Sequence, residues 1–324
     1  MINLRDVRYV RLGTSDLDQC ERYATQILGL EKVRGTARSV YLRADHRDHT
    51  IMYFKGDPAD HTVGWDIDSA AELDAAAAEL EANGIQVHRG SASQSDERAC
   101  AAFINFRDPN GSSHDLVVRG HSSGVRYFPA RDAGIWAFSH IGLHTRDPLR
   151  DERFWTTLLS AKVSDRIGDA ALLRIDEVHH KIALFPSKRI GVQHINHQVH
   201  DVNDIMRSYY FLREQGVKIV FGPGRHPTSG AMFLYFEGPD GMIYEYSTGV
   251  RMITLDDEKT YRPRQFPFEP SSLCMWGARP DIAEFKEDKS SGEQNAGTNS
   301  NNTNNVNSTE SIGRDHQGTR RAAA

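Results

Sequence analysis

The residues best suited to chemistry lie in the second half of the chain. His140, His197 and Glu245 offer two imidazoles and one carboxylate, and His226 and Tyr235 lie on the same stretch as Glu245. Two histidines and one carboxylate on one side of a cation leave its other positions open, the ligand set of non-haem Fe(II) oxygenases. To act together, the three must sit on strands that aim them at one point. His140 lies in an extended run near residues 139–145, and His197 in one near 195–200. Glu245 lies in the second of two aromatic runs that flank Gly238-Pro239-Asp240-Gly241. In that turn Pro presets φ and Gly accepts φ > 0, so the runs form a hairpin carrying His226, Tyr235 and Glu245. Side chains alternate across a strand, which turns Glu245 away from Tyr244 and Tyr246, His197 away from Gln198, and His140 away from Ile141. One strand histidine is more often an ordinary hydrogen-bonded side chain. Three groups at corresponding ends of one sheet point to a metal.

A repeat supplies the elements that would hold them. Leu12-Gly13-Thr14-Ser15-Asp16 recurs at one constant offset as Leu143-His144-Thr145-Arg146-Asp147. Leu42-Arg43-Ala44-Asp45 recurs as Leu173-Arg174-Ile175-Asp176, His49 as His180, and Asp108-Pro109-Asn110-Gly111 as Gly238-Pro239-Asp240-Gly241. One module is used twice. The fold class is α+β, with two tandem modules, each of paired βαβββ units forming a curved, barrel-like sheet. The expected limits are residues 1–125 for an N-terminal module without a metal site and 135–254 for a catalytic module. A segment over 255–288, with aromatics and prolines, is expected to wrap the body. The Ser, Asn, Thr and Gly of 289–324 have almost nothing to bury and read as disordered.

The first copy acts as a control. Applying the repeat, His140, His197 and Glu245 correspond to Tyr9, Trp65 and Asp115. An indole carries only a donor and does not ligate iron in this way, so the metal site is expected once. His194 and His200 read as a loop residue and an outward strand residue, and His46, His49, His61, His88 and His114 fall in the copy without a site. His140 and His144 are four apart but lack the HExxH glutamate and lie on a strand.

Composition narrows the class. The net charge of −5, with both signs mixed, gives no basic patch for nucleic acid. No apolar run approaches a membrane span, and the N-terminus lacks a signal-peptide core, so a cytoplasmic location is expected. Cys20, Cys100 and Cys274 are odd in number and scattered, which argues against a disulfide framework or a CxxC metal site.

The repeated module and the stretch His226, Tyr235, Pro239, Gly241, Glu245 resemble the vicinal oxygen chelate superfamily, and within it the two-domain type I extradiol ring-cleavage dioxygenases. Gly238 departs from that signature, which usually has an acidic or small polar residue there. The resemblance implies that His140, His197 and Glu245 bind Fe(II), with Mn(II) second to it. It implies His180 as the acid/base, with His179 as a rival, and His226 and Tyr235 as hydrogen-bonding partners of substrate and oxygen. It also implies a catechol-type substrate and O₂ as partners; a homo-oligomer is expected. The Pro227-Thr228-Ser229-Gly230 segment looks more like the subgroup acting on single-ring diols, such as dihydroxy-p-cumate or 2,4,5-trihydroxytoluene. A metal-free small-molecule-binding protein of the same fold is the alternative, and a glyoxalase-like isomerase a third reading.

Overall fold

In each copy an aspartate starts the first helix. The side chains of Asp16 and Asp147 accept the backbone N–H of Gln19 and Arg150, so each satisfies one of the orphan donors of a helix start. A computed structural model describes residues 1–286; the tail expected at 289–324 lies outside the described residues. The first copy runs β1 (Asp6–Thr14), α1 (Leu17–Gln26), β2 (Glu31–Gly35), β3 (Ser39–Arg43), β4 (Ile51–Lys55), β5 (His61–Ile67), α2 (Ala70–Ala82), β6 (Val87–Arg89), α3 (Ala92–Glu97), β7 (Ala102–Arg107) and β8 (Ser113–Val118). The second runs β9 (Ile135–Thr145), α4 (Pro148–Thr157), β10 (Lys162–Ile167), β11 (Ala170–Arg174), β12 (Ile182–Pro186), β13 (Val192–Val199), α5 (Val202–Glu214), β14 (Ile219–Arg225), β15 (Met232–Glu237) and β16 (Ile243–Thr248). The fold is α+β, with two tandem modules of paired βαβββ units.

Each copy forms one mixed sheet. In the second its order is β14-β15-β16-β13-β9-β12-β11-β10, with a further short strand on the outer edge. Each four-stranded unit contributes its first strand, β9 or β13, to the middle, and these two pair antiparallel. Strand β16 lies parallel beside β13. The three central strands therefore carry residues 135–145, 192–199 and 243–248 side by side.

The outer faces of these strands pack on the first copy. Tyr246 donates its hydroxyl to the Leu28 carbonyl at 2.9 Å, and the Tyr244 hydroxyl meets that of Tyr53. Trp65 of β5 and Trp155 of α4, both fully buried, meet edge to face with ring centroids 5.4 Å apart. Burying a large apolar side chain contributes about 1.5–3 kcal/mol, so this face is fixed firmly and Glu245, between two buried tyrosines, must point into the barrel. Past the second copy come α6 (Leu255–Glu258), β17 (Arg264–Phe266) and α7 (Pro270–Leu273). Strand β17 pairs with β10, and Leu273, Ile282 and Phe285 are buried with Phe185, Phe221, Phe233 and Tyr235 at the barrel's inner side. Among the described residues no helix is long and apolar enough to cross a membrane.

Candidate metal centre

Strand register selects the residues that meet. Glu245 on β16 pairs with Asn196 on β13, and His194 pairs with Gly142 on β9. Side-by-side residues in neighbouring strands share a face, and so do residues two apart in one strand. His140, His194 and Glu245 therefore look into the same interior. Their ligand atoms converge: Nε2 of His140 lies 3.1 Å from Nε2 of His194 and 3.1 Å from Oε2 of Glu245, and His194 Nε2 lies 3.4 Å from the same oxygen. All three side chains are buried.

His197 is not in this cluster, which corrects the expected ligand set. It pairs with Tyr246 and with Phe138, and a register shift in β9 between Phe138 and Ile141 turns Phe138 away from the His140 side, onto the face packed on the first copy. Its ring lies 5.9 Å from that of Phe138, and neither ring nitrogen has a hydrogen-bond partner. Burial holds its pKa down at about 3, against the pull of Asp45. His194, expected in a loop, occupies the interior position. The Gln193-His194-Ile195-Asn196-His197 stretch puts its two histidines on opposite faces, and the pairing of Asn196 with Glu245 is the signal that separates them.

The donor set fits a divalent cation. Cis ligands about 2.1 Å from a first-row metal stand about 3 Å apart, close to the separations found. Glu245 Oε2 is deeply buried without an aligned hydrogen-bond donor, and a lone buried carboxylate oxygen calls for a cation. Burial works against its charge, but the contacts of His140 and His226 outweigh it and hold the carboxyl well below its ordinary pKa. The buried His194 imidazole is held down at about 3 by the same desolvation, which leaves a neutral nitrogen of the kind that ligates metals.

The other expected residues lie around the cluster. The His180 ring is 4.3 Å from that of His140. Behind it runs a chain of groups: His180 Nδ1 is 3.1 Å from His179 Nδ1, and His179 Nε2 is 2.9 Å from Asp165 Oδ2. Asp165 accepts only, so His179 donates from Nε2 and accepts at Nδ1; His180 then donates from Nδ1, and its Nε2 keeps a lone pair. Burial, followed by the neighbouring His140 and His179, pushes the His180 pKa well down. His179 thus stands behind His180 and orients it. Asp165, which no local pattern marks, is held by Arg264 of β17. His226 donates from Nδ1 to the Leu273 carbonyl at 2.8 Å, and its Nε2 lies 3.3 Å from the Tyr235 hydroxyl. Burial and the Glu245 charge raise the Tyr235 pKa and keep it a phenol.

In the first copy the equivalent interior is filled. By register Asp115 stands beside Gly64, so His194 corresponds to Thr62 rather than Trp65 to His197 as ligand. Asp115 accepts from Arg98 Nε at 2.7 Å, from the Tyr9 hydroxyl at 2.8 Å and from Asn105 at 2.8 Å. A guanidinium neutralises the carboxylate there.

A pair of βαβββ barrels with one buried His-His-Glu set in the second defines a class of metal-dependent proteins. The chain belongs to the Glyoxalase/Bleomycin resistance protein/Dioxygenase superfamily, which matches residues 7–114 and 137–246. It is 24% identical over 298 residues to an iron-dependent extradiol dioxygenase of Rhodococcus jostii (strain RHA1), covering 85% of this chain and 97% of that protein. It is 24% identical over 277 residues to a 1,2-dihydroxynaphthalene dioxygenase of Sphingobium xenophagum, covering 80% and 93%. Among solved structures, the Mn(II)-bound glyoxalase from Novosphingobium aromaticivorans superposes with a TM-score of 0.77 at 25% identity, covering 87% of this chain and 93% of that one.

Proposed function

We propose that this chain is an extradiol ring-cleavage dioxygenase that binds Fe(II) through His140, His194 and Glu245. The observation that carries the reading is the buried three-donor cluster with an unprotonated His180 nitrogen beside it. The iron-dependent relative supports Fe(II), and a manganese-dependent relative of equal identity keeps Mn(II) as the second candidate. In the overall reaction the ring C–C bond beside the diol breaks and both atoms of O₂ enter the product, so no external reductant is needed. Bound iron would supply Lewis acidity and one-electron chemistry that join diol and O₂.

The chain's own groups handle protons and position. His180 Nε2 takes a proton from a substrate hydroxyl and returns it to the opening product, while Asp165 and His179 keep the ring in the required tautomer. Tyr235 donates its phenolic hydrogen to developing negative charge on oxygen, and His226, stacked on Phe233 with centroids 3.9 Å apart, holds that phenol in place. Phe285 and Leu273 close the space against water.

The lining beside the cluster supports an uncharged substrate. The free space beside His180, His194, His226 and Tyr235 is about 30 Å³, and its remaining walls include Leu172, Phe185, Leu273 and Phe285. Among the described residues lining it there is no lysine or arginine to pair a substrate carboxylate. This lining favours a neutral diol, such as 2,4,5-trihydroxytoluene, over a carboxylated one. The larger cavity, about 820 Å³ between the modules, is lined by none of His140, His194 and Glu245, whereas the smaller one reaches His194. The test is oxygen uptake by anaerobically Fe(II)-loaded protein across neutral single-ring, carboxylated and two-ring diols. Uptake with yellow ring-opened product, strongest for the first group, is expected. Iron-loaded protein that consumes no O₂ with any diol refutes the enzyme and leaves a binding protein.

A further inference from the structure

The ligand His194 has a partner of its own. Gln193 precedes it on β13 with a side chain only 3% exposed, and its Oε1 lies 2.5 Å from His194 Nδ1. An amide oxygen only accepts, so His194 donates from Nδ1 and leaves the lone pair on Nε2. That second nitrogen is the one 3.1 Å from His140 Nε2 and 3.4 Å from Glu245 Oε2. A hydrogen bond to the far nitrogen of a metal-binding imidazole fixes its tautomer and orientation and raises its basicity.

A second observation shows that the backbone makes room for this pair. Gly142 faces it from β9, and a Cβ there would lie 2.3 Å from His194 Nδ1 and 2.9 Å from Gln193 Oε1. Gly142 does not have a positive φ, so it is needed for space and not for backbone conformation. The first copy offers the contrast. Its equivalent pairing sets Arg11 against Thr62, so the copy without the metal ligand carries a long side chain where the second copy is bare.

We propose that Gln193 is a positioning residue for the metal, holding His194 in the tautomer that presents Nε2 to the cation, and that Gly142 leaves the gap in which the two side chains meet. The inference rests on the metal site and not on the reaction, so the readout is metal binding. Fe(II) affinity is measured anaerobically by chelator competition, with the near-infrared ligand-field spectrum as a second signal, in the full chain and in Q193L, Q193E and G142A. Loss of an outer hydrogen bond of this kind weakens metal binding about 10–100-fold. The expected result is a loss of that size in Q193L and G142A with a shifted spectrum, and recovery in Q193E, which restores an acceptor. A purely structural role would leave Q193E no better than Q193L. If Q193L does not fold, Q193M gives the same test with a chain of similar length. Unchanged affinity and spectrum in Q193L or Q193M, or failure of Q193E to recover, overturns the proposal. A parent chain that binds no Fe(II) overturns the metal site and this inference together.

Discussion

Replacing His197 by leucine should leave metal binding intact and make the metal-free protein less sensitive to mild acid. The imidazole is fully buried on the face that packs against the first copy, with neither nitrogen partnered. Burial lowers its pKa from the ordinary 6.5 to about 3. The unfolded chain therefore takes up a proton near the ordinary value while the folded chain does not. The stability that goes with the neutral folded form is whole above about pH 6.5 and is lost as the pH falls toward 3. Each pH unit in that window costs about 1.4 kcal/mol, or about 2 kcal/mol by pH 5. Leucine has a similar volume and no proton to gain. The assay is urea unfolding of chelator-treated parent and H197L at about pH 7.5 and about pH 5. Every other histidine is common to both proteins, so the difference isolates this one. The stability of H197L relative to the parent should rise by about 2 kcal/mol between the two conditions. An identical pH dependence would refute the buried neutral imidazole, and loss of Fe(II) binding in H197L would show that His197 faces the metal after all.

Four further outcomes follow from the same geometry. His194→Ala should weaken Fe(II) binding by more than the about 10–100-fold of an outer partner, read by chelator competition; retention of metal there would reverse the ligand assignment. His180→Ala should keep its iron and lose about 10²–10⁴-fold in turnover, with bound iron and oxygen uptake measured on the same sample; loss of the iron would make His180 a ligand. Arg98→Met should cost about 3–5 kcal/mol in denaturant unfolding, because it leaves the buried Asp115 carboxylate without its cation; a neutral change would show that carboxylate to be protonated. Phe285→Ala should raise kcat/KM for two-ring diols relative to single-ring ones by about tenfold or more, and an unchanged ratio would remove Phe285 from the substrate wall.

The architecture was legible because its signals are local and doubled. The Leu-to-Asp segments and the Pro-containing turns recur in both copies at nearly the same offset, so each could be checked against its twin. His140 and Glu245 were legible for the same reason, since the aromatic neighbours of Glu245 mark its strand and its face. His194 was not. Alternation says that His194 and His197 face opposite ways, but only the register between β13 and β16, set by contacts far apart in the chain, says which way is inward. Asp165 and Arg264 were not legible for a related cause: Asp165 meets His179 from 14 positions away and Arg264 meets Asp165 from 99 positions away, and no short pattern joins them.

The Arg98–Asp115 pair bears on how the two halves come to completion. A guanidinium built into the chain arrives with translation in one equivalent, cannot be chelated away and does not change oxidation state. The first barrel thus carries its counter-charge within its own chain, and it packs Trp65 and Tyr53 against the second. On the proposed reading, the second barrel takes its cation from outside. Duplication has here divided the labour between a half that carries its counter-charge permanently and a half that must acquire one, and only the latter can exchange it, lose it or react through it.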